Sequence, residues 1–553
     1  MILVALIAWP FIAGIAAWLA GRRRPDAARW VSALAMAAGL VAVAVEWTVN
    51  APALALTGHG PFVASVHVAW VPQLGISFFM AADGLSLVMV TLCYAIGLLA
   101  VLSSWHEVTE RVGFFHFMLL WTIAALVGVF CALDLFLFYF LFEMMLVPMY
   151  FLIALWGHER RVYAAVKFFL FTQIGGLFML ISIVALYVIH GRQTGVYTFD
   201  YLQLLGTHLS LATATWLMLG FFAAFAVKLP AVPLHTWLPD AHTQAPTAGS
   251  LVLAGLLIKI GAYGMIRFMV PLFPQAVFRA APVFMGLAVL GILYGAVLAF
   301  AQHDLKRMVA YTSVSHMGFV LLAVMAWNTL ALQGAVLEIV CHAFSTGALF
   351  AIVGLMQDRL HTRDMDKMGG LWLAAPGMGA FALVFALASL GLPTLGNFVA
   401  EFLILLGTWP VSELAAVLGA VGLVAATIYA LWLVQRVFQG RETPALALPD
   451  LTVREGVMLA AMAAPLLWLG LYPQPLFNAV RPSLAALQQR AVRAPAPSAP
   501  GAILPAPPPA GRATAAAMLT GQDAQTALTD GASVAHAVVN EIIGVAAPTG
   551  STP

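Results

Sequence analysis

Charge is what this sequence has least of. Only 9% of its 553 residues are Asp, Glu, Lys or Arg, against 63% that are hydrophobic, whereas a soluble globular domain carries roughly 25% charged residues. Its charges are too few to clothe a water-exposed surface, so lipid must solvate most of the outside. The formal net charge of +2, with the basic residues scattered through short loops, excludes a nucleic-acid-binding face. Cysteine is nearly as scarce. Cys93, Cys131 and Cys341 stand far apart inside apolar runs, so no disulfide framework, iron–sulfur motif or c-type haem attachment is indicated. No P-loop, GxGxxG unit or nucleophilic triad occurs, which excludes an evident nucleotide or hydrolytic site. No cofactor or metal is expected; a bis-histidine haem between His316 and His342 would have no supporting motif.

What the sequence has in abundance is long apolar stretches. A helix needs about 20 apolar residues to cross the hydrocarbon layer. On that count spans fall near 2–20, 29–49, 80–104, 114–132, 134–156, 164–190 and 209–229. Others fall near 246–270, 280–301, 306–326, 330–356, 371–409, 413–437 and 455–473. These make about fourteen crossings, and the chain reads as an all-α polytopic membrane protein. The N-terminal run has no leading positive region and is followed by Arg22-Arg23-Arg24, so it reads as a retained first span rather than a signal peptide. The stretch 371–409 is too long for one straight span and contains Gly391-Leu392-Pro393, which breaks it. LPAVPLHTWLPDAH, after residue 229, reads as a half-helix attached to the seventh span.

Orientation follows from the basic residues. Arg22, Arg23, Arg24 and Arg29, then Arg111, then Arg160, Arg161 and Lys167, mark odd-numbered loops. So do Lys306 and Arg307, Arg359, Arg363 and Lys367, and Arg436, Arg441 and Arg454. The intervening loops hold only Arg192, Arg267 and Arg279. Odd loops are therefore expected in the cytoplasm and both termini outside. Lys228-Leu229-Pro230 in the seventh span and Gly391-Leu392-Pro393 in the twelfth lie an odd number of crossings apart. Broken helices at matching places of inverted repeats point to an ion path, although proline is also common in membrane helices for other reasons. Beyond residue 485 the chain turns to a Pro/Ala linker, with a small helix expected at 513–545, in a tail outside the membrane.

Ionisable groups inside a bilayer cost about 3 kcal/mol or more each and normally face the protein interior. Glu143, Lys259, His316, Glu338, His342 and Glu401 lie well inside expected spans, and Lys228 lies at a break. Glu143 and Lys228 relieve their cost most simply by pairing; such a pair is either a static brace or a switch whose opening releases the lysine proton. Lys259 has no evident partner, which suits a relay. His316 can pass protons through its two nitrogens or serve as a hydrogen-bonded structural residue. Glu338 and His342, spaced i, i+4, share one helix face and either satisfy each other or join the path. His235 and His242 tune the broken region or do turn and cap chemistry. Asp83 and Asp134, at span edges, are explained by solvation and capping.

KLPAVPLHTWLPDAHTQAPTAGSLVLAGLLIKIGAYG, LKRMVAYTSVSHMGF and LPTLGNFVAEF resemble the proton-translocating, antiporter-like membrane subunits of respiratory complex I. The likeness runs from about residue 75 to 475, in order and with suitable spacing. The acidic residue at 401 resembles the M branch of that family; the sister L and N branches typically place a lysine there. The resemblance implies fourteen core helices containing two inverted five-helix repeats, with helices 7 and 12 broken. On it, residues 1–110 hold helices 1–3, 111–275 the first repeat and 276–440 the second. Residues 441–485 hold helix 14, and 486–553 form the tail. It implies Glu143 and Lys228 as a coupling pair, Lys259 as the central relay, His316 as a bridging relay and Glu401 as the distal site. His235, His242, Glu338 and His342 are auxiliary candidates read from the residues alone. It further implies a non-redox part in a proton-translocating NADH:quinone oxidoreductase of the bacterial inner membrane. The expected partners are lipid and other membrane-arm subunits, sister antiporter-like chains among them. A multisubunit cation/proton antiporter or a membrane-bound hydrogenase uses similar motifs and stands as the alternative.

Overall fold

The computed structural model describes residues 2–55, 62–440 and 449–493. The helix expected at 513–545 and most of the tail lie outside the described residues. Thirteen helices among the described residues are long and apolar enough to cross a membrane. The twelfth expected span is two shorter apolar helices, Pro376–Ser389 and Gly396–Thr408. The chain is therefore a multi-pass helical bundle with the crossings the apolar runs indicated.

Polar residues start these helices. The Asp134 carboxylate accepts from the amides of Phe136 and Leu137, Asp304 from that of Arg307, and Asn328 from that of Ala331. Thr452 and Glu455 close a reciprocal capping box. Each satisfies backbone donors that the first helical turn leaves without partners.

The fold also contains an element the sequence reading lacked. Strands Ala64–Val71 and Ile76–Ala82 form an antiparallel hairpin. The helix expected to start at residue 80 begins at Gly84 instead. Ile76–Ala82 is almost wholly buried, and a buried apolar run cannot be told from a helix by periodicity alone. Past the last span, helix Gln474–Arg493 runs through residue 485, where the tail was expected to start, and packs on the third and eleventh spans.

Burial sorts the helices. Thr247–Leu272, Leu305–Ala326 and Thr329–Leu360 are buried almost all round, whereas Ile2–Gly21, Arg161–Thr194 and Glu413–Phe438 bury little more than a third of their residues. The outer helices present exposed apolar side chains such as Ile181, Trp216 and Val424, the surface expected to face acyl chains. The inner three carry Lys259, His316, Glu338 and His342.

The connecting segments gather into two layers. His158 donates its amide to the Gln244 carbonyl, Thr247 to Glu107, and Lys306 to the Ala245 carbonyl. Arg363 pairs with Asp304 and Arg359 with Glu455. Odd-numbered loops thus meet one another. At the other end Asp134 accepts from Ser77, Leu135 donates to Phe199, and Asn328 reaches the Gly407 carbonyl.

Candidate functional site

Two discontinuities position the site. The seventh span, Leu211–Lys228, stops at Lys228, and the chain resumes as helix Trp237–Gln244. The Trp237 indole donates to the Val227 carbonyl at 2.8 Å, and Lys167 pairs with Asp240 at 2.6 Å; these contacts pin the half-helix to the broken end. In the twelfth span Gly391 takes φ +79°, a left-handed conformation that costs glycine little, and helix Gly396–Thr408 then carries Glu401 inward. A third discontinuity went unread. Lys259 lies on a seven-residue α-helical piece, Ile258–Gly264, between two π-helical turns, Leu253–Leu257 and Met265–Met269. Such turns inside α-helices are frequent at functional sites.

Five of the expected residues form one run of contacts. Lys259 Nζ donates to His342 Nδ1 at 2.6 Å and to the Ala254 carbonyl. The His342 and His316 rings stand 5.5 Å apart between centroids. His316 Nδ1 lies 2.9 Å from Glu401 Oε1 and 3.6 Å from Glu338 Oε1. All five residues are buried. His316 Nε2 meets Ser389 Oγ at 3.0 Å and Tyr429 Oη at 3.2 Å, while Asn397 Nδ2 approaches Glu338 Oε1 at 3.5 Å. Ser389 and Tyr429 carried no signal in the sequence. Asn397 stood one helical turn before Glu401, where its amide could have been read as a neighbour.

Glu143 and Lys228 were expected to relieve each other by pairing. No hydrogen bond joins them: both Glu143 carboxylate oxygens and Lys228 Nζ are buried without a hydrogen-bond partner. The Lys228 ammonium position stands 5.0 Å from the Phe142 ring centroid and 5.4 Å from that of Phe168, a separation at which ring faces stabilise a cation. Glu143 sits where the fifth span is itself interrupted, between Leu135–Met144 and Leu146–Trp156. Its carboxylate lies directly over Gly176, in the space a Cβ there would need. Glu338 and His342 likewise do not satisfy each other. They share a helix face, but His342 turns to Lys259 and Glu338 turns to His316 and Asn397.

Of the auxiliary histidines, His342 joins that run, whereas His235 and His242 stand outside it. His242 stacks on Phe350 at 4.4 Å, with both ring nitrogens lacking partners. Burial, helped by the charges of Lys306 and Lys259, holds it well below the usual histidine range. His235 lies 5.5 Å from the Tyr294 ring, and burial lowers it as well.

Two residues assigned to loops, Arg267 and Lys306, are interior. Arg267 is 1% exposed and grips Asp83 through two hydrogen bonds of 2.6 and 2.7 Å. Asp83 therefore caps its helix out of contact with water, contrary to the solvated edge expected. Lys306 is fully buried, with its ammonium on the Ala245 carbonyl at 2.6 Å. Near it, Glu107 accepts from the amide and hydroxyl of Thr247 at 2.8 and 3.0 Å. The available signal for Arg267 was its place eight residues beyond Lys259, on the same sequence of buried turns.

Known proteins resemble this chain over most of its length. The family profile described as NADH:quinone oxidoreductase/Mrp antiporter, TM, matches residues 132–428. NADH-quinone oxidoreductase subunit M of Pseudomonas aeruginosa is 49% identical over 497 residues, covering 88% of this chain and 98% of the relative. The same-named protein of Escherichia coli K12 is 47% identical with the same coverage. Among solved structures, a chain of respiratory complex I from Thermus thermophilus superposes with a TM-score of 0.78 at 30% identity, covering 89% of this chain and 99% of that one. A chain of the Mrp complex from Dietzia reaches 0.77 at 20% identity, which shows the shared fold. With the broken helices and the buried ionisable run they enclose, these matches place the chain in the family of antiporter-like membrane subunits of NADH:quinone oxidoreductase, on its subunit M branch.

Proposed function

We propose that the chain translocates protons as subunit M of the membrane arm of a bacterial NADH:quinone oxidoreductase, and carries no redox centre itself. The observation that supports this best is the run Lys259–His342–His316–Glu401, which crosses four helices with no exposed member. Imidazoles accept a proton on one nitrogen and release it from the other, and lysine and carboxylate supply donors and acceptors at the ends. Glu143 and Lys228, joined by no direct hydrogen bond, form the gate. A charge change elsewhere in the complex alters their separation, and the proton moves on through Lys259 toward Glu401. Moving one charge against the membrane potential requires about 2.3 kcal/mol per 100 mV, which quinone reduction supplies. The two broken spans belong to inverted repeats over 111–275 and 276–440. The layer of odd-numbered loops faces the cytoplasm and both termini face the periplasm.

Lys259→Ala tests the reading. The variant should assemble into the complex and lose proton pumping in proteoliposomes. An assembled variant that pumps at the parental rate sinks the relay and leaves only a scaffold whose charges brace helices. The antiporter alternative fits less well, because the relatives at 47–49% identity are subunit M whereas the Mrp likeness stands at 20%.

A further inference from the structure

We propose that His316, Glu338 and Glu401 form an intramembrane binding site for a divalent transition-metal ion of the zinc class, at which the metal arrests the relay instead of serving it. Spacing alone could not show the site, because its ligands come from three helices: Leu305–Ala326, Thr329–Leu360 and Gly396–Thr408. Glu338 is also absent from the residues that the family resemblance assigns.

The geometry fits a small tetrahedral ion. One nitrogen and two carboxylate oxygens from these residues lie within 4.8 Å of one another. Zinc holds nitrogen and oxygen ligands at about 2.0–2.2 Å, so the edges of its tetrahedron are about 3.3–3.6 Å long. Of the observed separations from His316 Nδ1, 2.9 Å to Glu401 falls short of that range and 3.6 Å to Glu338 meets its upper end. Side-chain movements of about an ångström, within the 4.8 Å that bounds the three ligand atoms, would close the site, and the fourth position is left for water.

A second observation points to the same ligand. Glu338 Oε2, Glu401 Oε2 and Asn397 Oδ1 are all buried without a hydrogen-bond partner. Asn397 is fully buried, and its amide already lies against Glu338. Three buried oxygen acceptors without donors are costly in a dry interior. A dication would relieve that cost, since the neighbouring Lys259 is engaged with His342.

A rival collection of metal-ligand types lines a surface cavity of about 570 Å³, with His158, His303, His361, Asp304, Asp364 and Asp366. Its three aspartates are already committed: Asp304 to Arg363, Asp364 to Lys367, and Asp366 to Arg436 and His303. That cluster serves as the control.

Binding is measured with radioactive Zn²⁺ on the purified complex. Glu338→Gln should weaken it by about tenfold or more, since losing even an outer-sphere partner costs that much, while the double variant His303→Ala/His361→Ala should leave it unchanged. X-ray absorption of the zinc added to the parental complex should show one imidazole with oxygen ligands, a readout that needs no variant to fold. Equal affinity in Glu338→Gln, loss of binding in the surface variant, or a shell of several imidazoles overturns the site. The arrest rests on the proposed relay. In proteoliposomes, Zn²⁺ should stop pumping by the parental complex, and Glu338→Gln should need about ten times more, each relative to its own zinc-free rate. Zinc bound at the site with pumping undiminished overturns the arrest, and pumping by Lys259→Ala separately overturns the relay.

Discussion

At the scale of single residues, the sequence disclosed which groups are expensive but not whom they meet. Glu143, Lys228, Lys259, His316, Glu338, His342 and Glu401 all announced themselves as ionisable groups in apolar runs, because their cost in lipid is local. Their partners come from other helices, and nothing in a single run encodes them. Lys259 and His342 are separated by 83 positions. Arg267 and Lys306 were misplaced for the same reason, since a basic residue near a span end reads as a loop residue until a buried acid or carbonyl is found beside it. Glu107, outside the spans, carries a prediction at this scale. Burial, partly offset by Lys306, raises its carboxyl from the ordinary 4.5 to about 7. A raised carboxyl binds its proton more tightly folded than unfolded. Its contribution to stability is therefore complete below pH 4.5 and is lost as pH rises through about 7. Thermal denaturation of the detergent-solubilised complex at pH 5 and pH 8 should show the parental chain losing ground to Glu107→Gln as pH rises. The opposite trend would mean that the ionised form is the one the fold prefers.

Among elements, helices were legible and their interruptions only partly so. Proline and glycine marked the breaks after Lys228 and at Gly391, because both residues act on the local backbone. Pro148, three residues past the interruption of the fifth span beside Glu143, and Gly255 and Gly264, at the π-helical turns around Lys259, were weaker marks and went unused. The hairpin was missed because its second strand, apolar but for Ser77, is buried on both faces and shows no clear alternation. The contact between the fifth and sixth spans is governed by Gly176, whose missing side chain leaves the room that the Glu143 carboxylate occupies. Gly176→Ala should displace that carboxylate while leaving the helix intact, since alanine favours helix. Misplacement of a reacting group by about 1 Å can cost 100-fold in rate. Pumping should fall by up to that factor, with the assembled complex as heat-stable as the parent. Unchanged pumping would show that the position of Glu143 does not matter.

For the whole molecule, the alternation of basic loops was the most informative pattern in the sequence. The structure links odd-numbered loops to odd and even to even, through contacts such as Thr247 to Glu107 and Asn328 to Gly407. Membrane-impermeant thiol labelling can test which layer is which. The three native cysteines are buried, so single cysteines at Glu159 and Gln193, on loops of opposite parity, should be the reactive sites. Glu159→Cys should label only when the cytoplasmic face is open to reagent, and Gln193→Cys only from the periplasm. Labelling of both from one face would invalidate the alternation and, with it, a path that crosses the bilayer.

The π-helical turn at Leu253–Leu257 has a consequence for how this span can change over evolutionary time. An α-helix advances about 100° per residue, so the surplus residue in that turn sets the compass bearing of Lys259 relative to Thr247. A deletion there would leave a hydrophobic segment still long enough to insert, with its amine aimed away from His342. Most of the molecule's greasy surface tolerates gradual drift. This turn does not, because one codon gained or lost swings the conductor out of the circuit while the insulation stays whole.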